Sequence, residues 1–201
     1  MTAPEPIGPA RAVRERLLTA GFRQILGVTF LAFGAEAIVR ALVPLLVLAR
    51  GGDAVLVGLV ATAYSLPSLL FRPLVGSLVD SWQHRLLYRG GALVGVLVPA
   101  LLLIPSIPVM LATRFLTGTA WGFFSVSNHS LMAKLAPPDR RAEASGIFMT
   151  MPALGQLFLP ALGVAIYTAT RHEAWPIGLA MAMFLGAFLI TTRMHVPPTP
   201  P

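Results

Sequence analysis

Charge and cysteine are what this sequence has least of. Only 11% of its 201 residues are charged, 8 of them acidic, and cysteine is absent. The absence of cysteine excludes disulfides, thiolate metal sites and thiol catalysis. The eight methionines show no metal-ligand spacing, and no G-x-x-x-x-G-K-[ST] phosphate-binding loop is present. We therefore expect no metal, no cofactor and no ATP hydrolysis by this chain, and we do not expect an enzyme.

Apolar residues are abundant instead. They make up 56% of the chain, and its mean hydropathy is +0.76, more apolar surface than a soluble domain of this length can cover. A bilayer-spanning helix needs about 20 mostly apolar residues. The sequence predicts an all-α membrane bundle over 24–193, after a basic N-terminal segment (1–23) and before an irregular Pro-rich tail (194–201). The predicted spans are 24–49, 54–75, 86–105, 108–133, 145–168 and 175–193.

The net charge of +7 comes from basic residues that are scattered through short loops, which argues against nucleic-acid binding. Counting lysine and arginine on the two sides of the spans gives a strong asymmetry. One side has Arg50 and Arg171, and the other has Arg11, Arg14, Arg16, Arg23, Arg72, Arg85, Arg89, Lys134, Arg140, Arg141 and Arg193. Because the basic side faces the cytoplasm, we predict a multi-pass protein of the plasma (inner) membrane with both termini cytoplasmic.

The loop "RPLVGSLVDSWQHR", between the second and third spans, resembles a signature of the major facilitator superfamily, G-x-L-x-D-x-x-G-[RK]-[RK]. Gly76, Leu78, Asp80 and Arg85 match it. The sequence departs from the family pattern at three positions, Ser81, Gln83 and His84. In that family the loop acts as a conformational latch, with the aspartate holding the outward-facing state against the other half of the transporter.

Two further segments resemble the same family. In the fourth span, "RFLTGTAWG" matches an R-x-x-x-G pattern through Arg114 and Gly118. In the fifth, "GQLFLPALGV" matches part of an antiporter pattern that bends a helix, through Gly155, Pro160 and Gly163.

The resemblance covers the N-terminal six-helix half of a transporter, built as a 3+3 inverted repeat. It implies transport of a small solute by alternating access, with proton coupling or efflux. A second six-helix half is then required, as part of the same chain, as a separate chain or as a second copy.

Charged residues inside the spans are the first candidates for function, because charge within a bilayer is costly. Glu36 and Arg40 lie four residues apart on one helical face of the first span, and Arg114 lies in the fourth. Glu36 and Arg114 are candidates for a proton-responsive couple, which the family resemblance supports. The alternative is a static Glu36–Arg40 pair that only permits insertion.

The remaining candidates are polar or aromatic residues within the spans, namely Tyr64, Trp121, Asn128 and Gln156. They could line a substrate cavity, or they could bond and pack between helices. Aromatic side chains with few charges favour amphiphilic solutes over highly charged ones. A non-transporting assembly partner, or a degenerate half-transporter, is the alternative function. The departures at the latch loop favour it, whereas the costly buried charges count against it.

Overall fold

The computed structural model describes residues 17–73 and 84–194, and in these parts of the chain the secondary structure is entirely helical. The predicted latch residues Gly76, Leu78 and Asp80 lie outside the described residues. The α-helices are α1 (Ala20–Ala49), α2 (Ala54–Leu70), α3 (His84–Leu97), α4 (Ile107–Leu135), α5 (Arg141–Thr170) and α6 (Ala174–Arg193). A 3₁₀ helix, Val98–Leu103, extends α3, and a 3₁₀ turn, Pro138–Arg140, precedes α5.

Local sequence signals account for several helix boundaries. The Thr19 side chain caps α1 by accepting a hydrogen bond from the backbone N–H of Phe22, and Asp53 caps α2 in the same way, as short polar side chains do at helix N-termini. Between these helices Gly51 has a φ of 79°, a conformation that glycine adopts without steric cost. Pro99 lacks a backbone N–H, and the α-helical part of α3 ends just before it.

Helix α1 is the centre of the bundle. It packs mainly against α5 and α6 and also touches α4 and α2. Helix α2 packs on α4, and α3 packs on both α4 and α6. Many fully buried side chains therefore come from α1, among them Phe22, Ile38 and Leu46, whereas α2 and α5 bury few residues. At one end of the bundle Arg50 ties three segments together, because it donates to the Leu102 carbonyl at 2.5 Å and to Glu173 at 2.9 Å.

The six α-helices begin within four residues of the predicted spans, but α2 ends at Leu70 and not at residue 75. Among the described residues, four helical segments are long and apolar enough to cross a membrane: Ala20–Ala49, Leu86–Leu103, Pro138–Thr170 and Ala174–Arg193. Helix α2 is apolar but has 17 residues, and α4 has 29 residues and is more polar. The predicted all-α membrane bundle is confirmed. The division into six spans and the 3+3 repeat stay predictions.

Candidate functional site

The closest approach of two helices at the site is between α2 and α4. A Cβ atom added to Gly118 would overlap the backbone carbonyl of Tyr64, and one added to Gly122 would lie 3.1 Å from the Ser68 carbonyl oxygen. Glycines spaced four residues apart on one face of a helix allow this kind of backbone contact. The contact brings Tyr64 of α2 close to Arg114, one turn before Gly118.

Glu36 and Arg114 form an ion pair inside the bundle. The Arg114 Nη2 atom lies 3.2 Å from Glu36 Oε1, and the two residues are only 2% and 3% exposed, respectively. Burying charge this deeply costs free energy, and each partner of the pair compensates the charge of the other. The same carboxylate oxygen is 4.0 Å from Arg40 Nε, and the Arg40 side chain is 52% exposed. Arg114 is therefore the closer and more buried partner of Glu36.

The Arg114 guanidinium also lies over an aromatic ring. Its Cζ atom is 4.1 Å from the centroid of the Tyr64 ring, and the Cζ of Arg40 is 5.8 Å from it. An arginine at this distance is attracted by the ring quadrupole. Arg114 still has unused hydrogen-bonding capacity, since neither Nε nor Nη1 has a hydrogen-bond partner among the described residues. Arginine carries five N–H donors, so most of this buried guanidinium is unsatisfied.

A groove of about 410 Å³ opens beside the pair. Three arginines, Arg40, Arg72 and Arg114, line it together with Tyr64, Ser65, Ser68, Trp121 and two aliphatic side chains. Glu36 and Arg114 also border a small void of about 10 Å³, which has room for at most about one water molecule. Arg114 therefore lines both a solute-sized space and a water-sized one.

Arg72 was counted only for orientation, and Ser65 and Ser68 were not predicted as site residues. Tyr64, Ser68 and Arg72 follow one another at intervals of four residues within the predicted span 54–75, a spacing that places residues on one face of a continuous helix, although α2 ends at Leu70. That spacing was a signal that could have identified them.

The other candidate cavity residues lie elsewhere. Asn128 is fully buried, accepts a hydrogen bond from the Tyr88 hydroxyl at 2.9 Å and donates to Thr29 Oγ1 at 2.9 Å. This network links α1, α3 and α4 and leaves Asn128 out of the groove lining. Gln156 is exposed on α5 and donates to the Pro152 carbonyl at 3.3 Å. Of the predicted cavity residues, Tyr64 and Trp121 line the groove.

The proposed helix-bend residues lie on α5 where it contacts α1. A Cβ added to Gly155 would come within 3.1 Å of the Gly34 backbone, and one added to Gly163 would come within 2.7 Å of the Ile38 side chain. Pro160 lies inside α5, which continues past it to Thr170. Arg85 lies in the first turn of α3.

A buried ion pair beside a polar groove, within a bundle of long apolar helices, is a candidate functional site of a membrane protein. The family model described as Major Facilitator Superfamily matches residues 25–201. The chain belongs to this superfamily, as its motifs indicated, and it is a multi-pass membrane protein.

Individual relatives agree with this assignment. The Staphylopine export protein of Staphylococcus aureus is 22% identical over 156 residues, which is 78% of this chain and 39% of that protein. Crystal structures of the peptide transporter POT, in complex with sulfate and with alafosfalin, share the fold. Their TM-scores are 0.75 and 0.74 at 19% and 18% identity, covering 86% and 88% of this chain. The chain spans 37% and 40% of those two structures, so it corresponds to less than half of each relative's length.

Proposed function

We propose that this chain forms one half of a secondary transporter that moves a small solute by alternating access, with Glu36 and Arg114 as its proton-coupling pair. The observation that carries the proposal is the buried ion pair at the edge of the groove, 3.2 Å between Arg114 Nη2 and Glu36 Oε1. A charged side chain inside a membrane costs free energy, and such residues usually have a function. The family assignment supports transport as the use.

The helix contacts support the 3+3 inverted repeat. If α1, α2 and α3 are matched with α4, α5 and α6, the α1–α5 contact becomes the α4–α2 contact, and the α1–α6 contact becomes the α4–α3 contact. All four are among the main helix contacts of the bundle. The partial coverage of the relatives supports a second six-helix half, within one polypeptide or as a separate or identical chain. Alternating access then consists of one half rocking against the other.

Coupling follows from the chemistry of the pair. Arginine cannot release its proton within a protein, whereas a carboxylate can bind one. Protonation of Glu36 removes the charge that holds Arg114 Nη2 and leaves the guanidinium with Tyr64 and two donor nitrogens without partners. Arg114 is then free to reorient toward the groove, which it already lines. Proton binding at Glu36 thereby changes the position of Arg114 in the groove lining.

The test is the pH dependence of transport by the full-length protein in proteoliposomes. A panel of anionic, neutral and cationic aromatic solutes is screened first, and the solute with the largest flux is used for the variants. Flux is normalised to the amount of monodisperse protein. We expect Glu36→Gln to abolish the response of flux to an imposed pH gradient, because glutamine cannot bind a proton, and we expect Glu36→Asp to retain it.

Glu173→Gln is the matched control, because it makes the same chemical change at the Arg50 ion pair, away from the groove. Its flux should depend on pH as the unaltered protein's does. An undiminished pH response in Glu36→Gln would remove the coupling role. If no solute in the panel gives flux, a non-transporting assembly partner becomes the better description.

The proposed orientation, with cytoplasmic termini in the plasma (inner) membrane, can be checked because the chain has no cysteine. His172 is exposed in the turn between α5 and α6, and Asp139 is exposed between α4 and α5. In intact cells, we expect a membrane-impermeant maleimide to label His172→Cys and not Asp139→Cys. Permeabilised cells should label both. The reverse pattern in intact cells would contradict the orientation given by the charge asymmetry.

A further inference from the structure

The charge of the groove is unbalanced. Its lining contains three arginines and, among the described residues, no carboxylate. The one acid nearby, Glu36, lies behind Arg114 and is bonded to it. The four other acids of the described chain, Asp53, Asp139, Glu143 and Glu173, lie outside the groove lining. Among the described residues, one negative charge therefore accompanies three positive ones, which gives this part of the groove a net positive charge.

Part of this positive charge also lacks hydrogen-bond acceptors within the described residues. Arg114 Nε and Nη1 are buried without partners, a state that costs free energy unless a ligand supplies acceptors. The Arg40 side chain is half exposed, and its contact with Glu36 is at 4.0 Å, too long for a hydrogen bond. Both guanidiniums border the groove and lie close to the Tyr64 ring. Two guanidinium groups with unpaired donors thus lie beside one aromatic ring in the groove lining.

We propose that the groove binds a small amphiphilic organic anion, with its carboxylate or other anionic oxygen group held by the guanidinium groups of Arg40 and Arg114. This inference rests on the proposed transport function and adds the class of substrate. Planar guanidinium groups recognise anionic oxygens with paired, charge-assisted hydrogen bonds.

The other lining residues suit the apolar part of such a solute. Trp121 and Leu69 offer apolar surface, and Ser65 and Ser68 offer hydroxyls. Arg72 lies two residues beyond the end of α2 and adds a third positive charge to the groove lining, where it attracts the anion electrostatically.

The experiment measures equilibrium binding to the full-length protein in phosphatidylcholine nanodiscs, with empty nanodiscs as the blank. The probes are three aromatic molecules of similar size: 2-naphthoate, the neutral 2-naphthamide and the cationic 2-naphthylmethylammonium. We expect 2-naphthoate to bind about tenfold tighter than the amide, since charge-assisted hydrogen bonds exceed neutral ones. The cation should bind weakest.

Variants test whether the anion binds in the groove. Arg40→Gln should weaken naphthoate binding about tenfold and leave naphthamide binding unchanged, whereas Arg40→Lys should retain most of the preference for the anion. Arg193→Gln is the matched control, because it removes the same charge from an exposed position outside the groove lining. Equal affinity for anion and amide would overturn the proposal. So would an equal loss of naphthoate binding in Arg193→Gln.

An anionic lipid headgroup carries the same oxygen chemistry as the proposed solute. A second set of nanodiscs therefore contains phosphatidylglycerol. Naphthoate affinity that persists in these nanodiscs supports a free solute, whereas phosphatidylglycerol that displaces naphthoate, and loses this effect in Arg40→Gln, would assign the groove to lipid. Binding can be measured without transport, so the two proposals are tested separately. If naphthoate fails to bind while Glu36→Gln still abolishes pH-dependent flux, the proposed substrate class is wrong and the proposed transport function is retained.

Discussion

Gly118→Ala is expected to destabilise the protein by about 3 kcal/mol, near the upper end of what overpacking costs. The added Cβ would overlap the carbonyl of Tyr64 and also meet its Cα at 2.9 Å. These are backbone atoms, which cannot rotate aside as a flexible side chain can. Helix α2 would have to move away from α4, and the apolar contact between them would open.

Two other glycines give the prediction a graded control series. At Gly122 the added Cβ would lie 3.1 Å from the Ser68 carbonyl oxygen, so a shift of a few tenths of an ångström relieves it. At Gly178, exposed on α6, it would meet nothing within 4 Å. There alanine should raise stability by up to about 1 kcal/mol, because it favours the helix over glycine. The expected order of stability is Gly178→Ala, unaltered protein, Gly122→Ala, Gly118→Ala.

The measurement is unfolding by sodium dodecyl sulfate in mixed micelles, followed by circular dichroism. A second readout is naphthoate binding, since Tyr64 and Arg114 lie beside the α2–α4 contact and border the groove. We expect Gly118→Ala to weaken that binding as well as the fold. A Gly118→Ala protein as stable as Gly178→Ala would mean that α2 does not approach α4 as closely as described.

The fold was largely predictable, because hydropathy and helix punctuation act locally. The sequence places the start of the second span at residue 54, where the Asp53 cap begins α2, and Pro99 accounts for the change to 3₁₀ geometry. The central position of α1 was not predictable from hydropathy, since α1 and α6 are similarly apolar. It depends on which small residues face which helix, as Gly34 and Gly155 do. Such pairings are properties of two segments and are not encoded in either one alone.

The site was predictable only in part, because it also depends on which side chains of different helices meet. Glu36, Arg40 and Arg114 were conspicuous as charges within apolar spans. Sequence reasoning could not choose between Arg40 and Arg114 as the partner of Glu36, because side-chain reach permits both. Arg72 was classed with the loop arginines, although it lines the groove just beyond the end of α2. Asn128 was a cavity candidate, and only the positions of Tyr88 and Thr29 give it a fully bonded environment.

Whether Arg40 or Arg114 is the main partner of Glu36 can be measured as a coupling free energy. We expect Glu36→Gln alone to destabilise the protein by about 3 kcal/mol, because it leaves the Arg114 guanidinium buried without a counter-charge. Adding Arg114→Gln to it removes the uncompensated charge. The double variant should therefore be more stable than the sum of the two single effects implies, by about 2 kcal/mol.

The parallel cycle with Arg40→Gln is the control. Arg40 is half exposed and 4.0 Å from the shared carboxylate oxygen, so solvent screens the pair and its coupling to Glu36 should be well below that of Arg114. Both cycles use the same detergent unfolding assay. If the Arg40 cycle gave the larger coupling, Glu36 would be a static partner of its own helix. Arg114 would then have no hold on the proton-binding group, and the coupling mechanism would fail even if transport itself were observed.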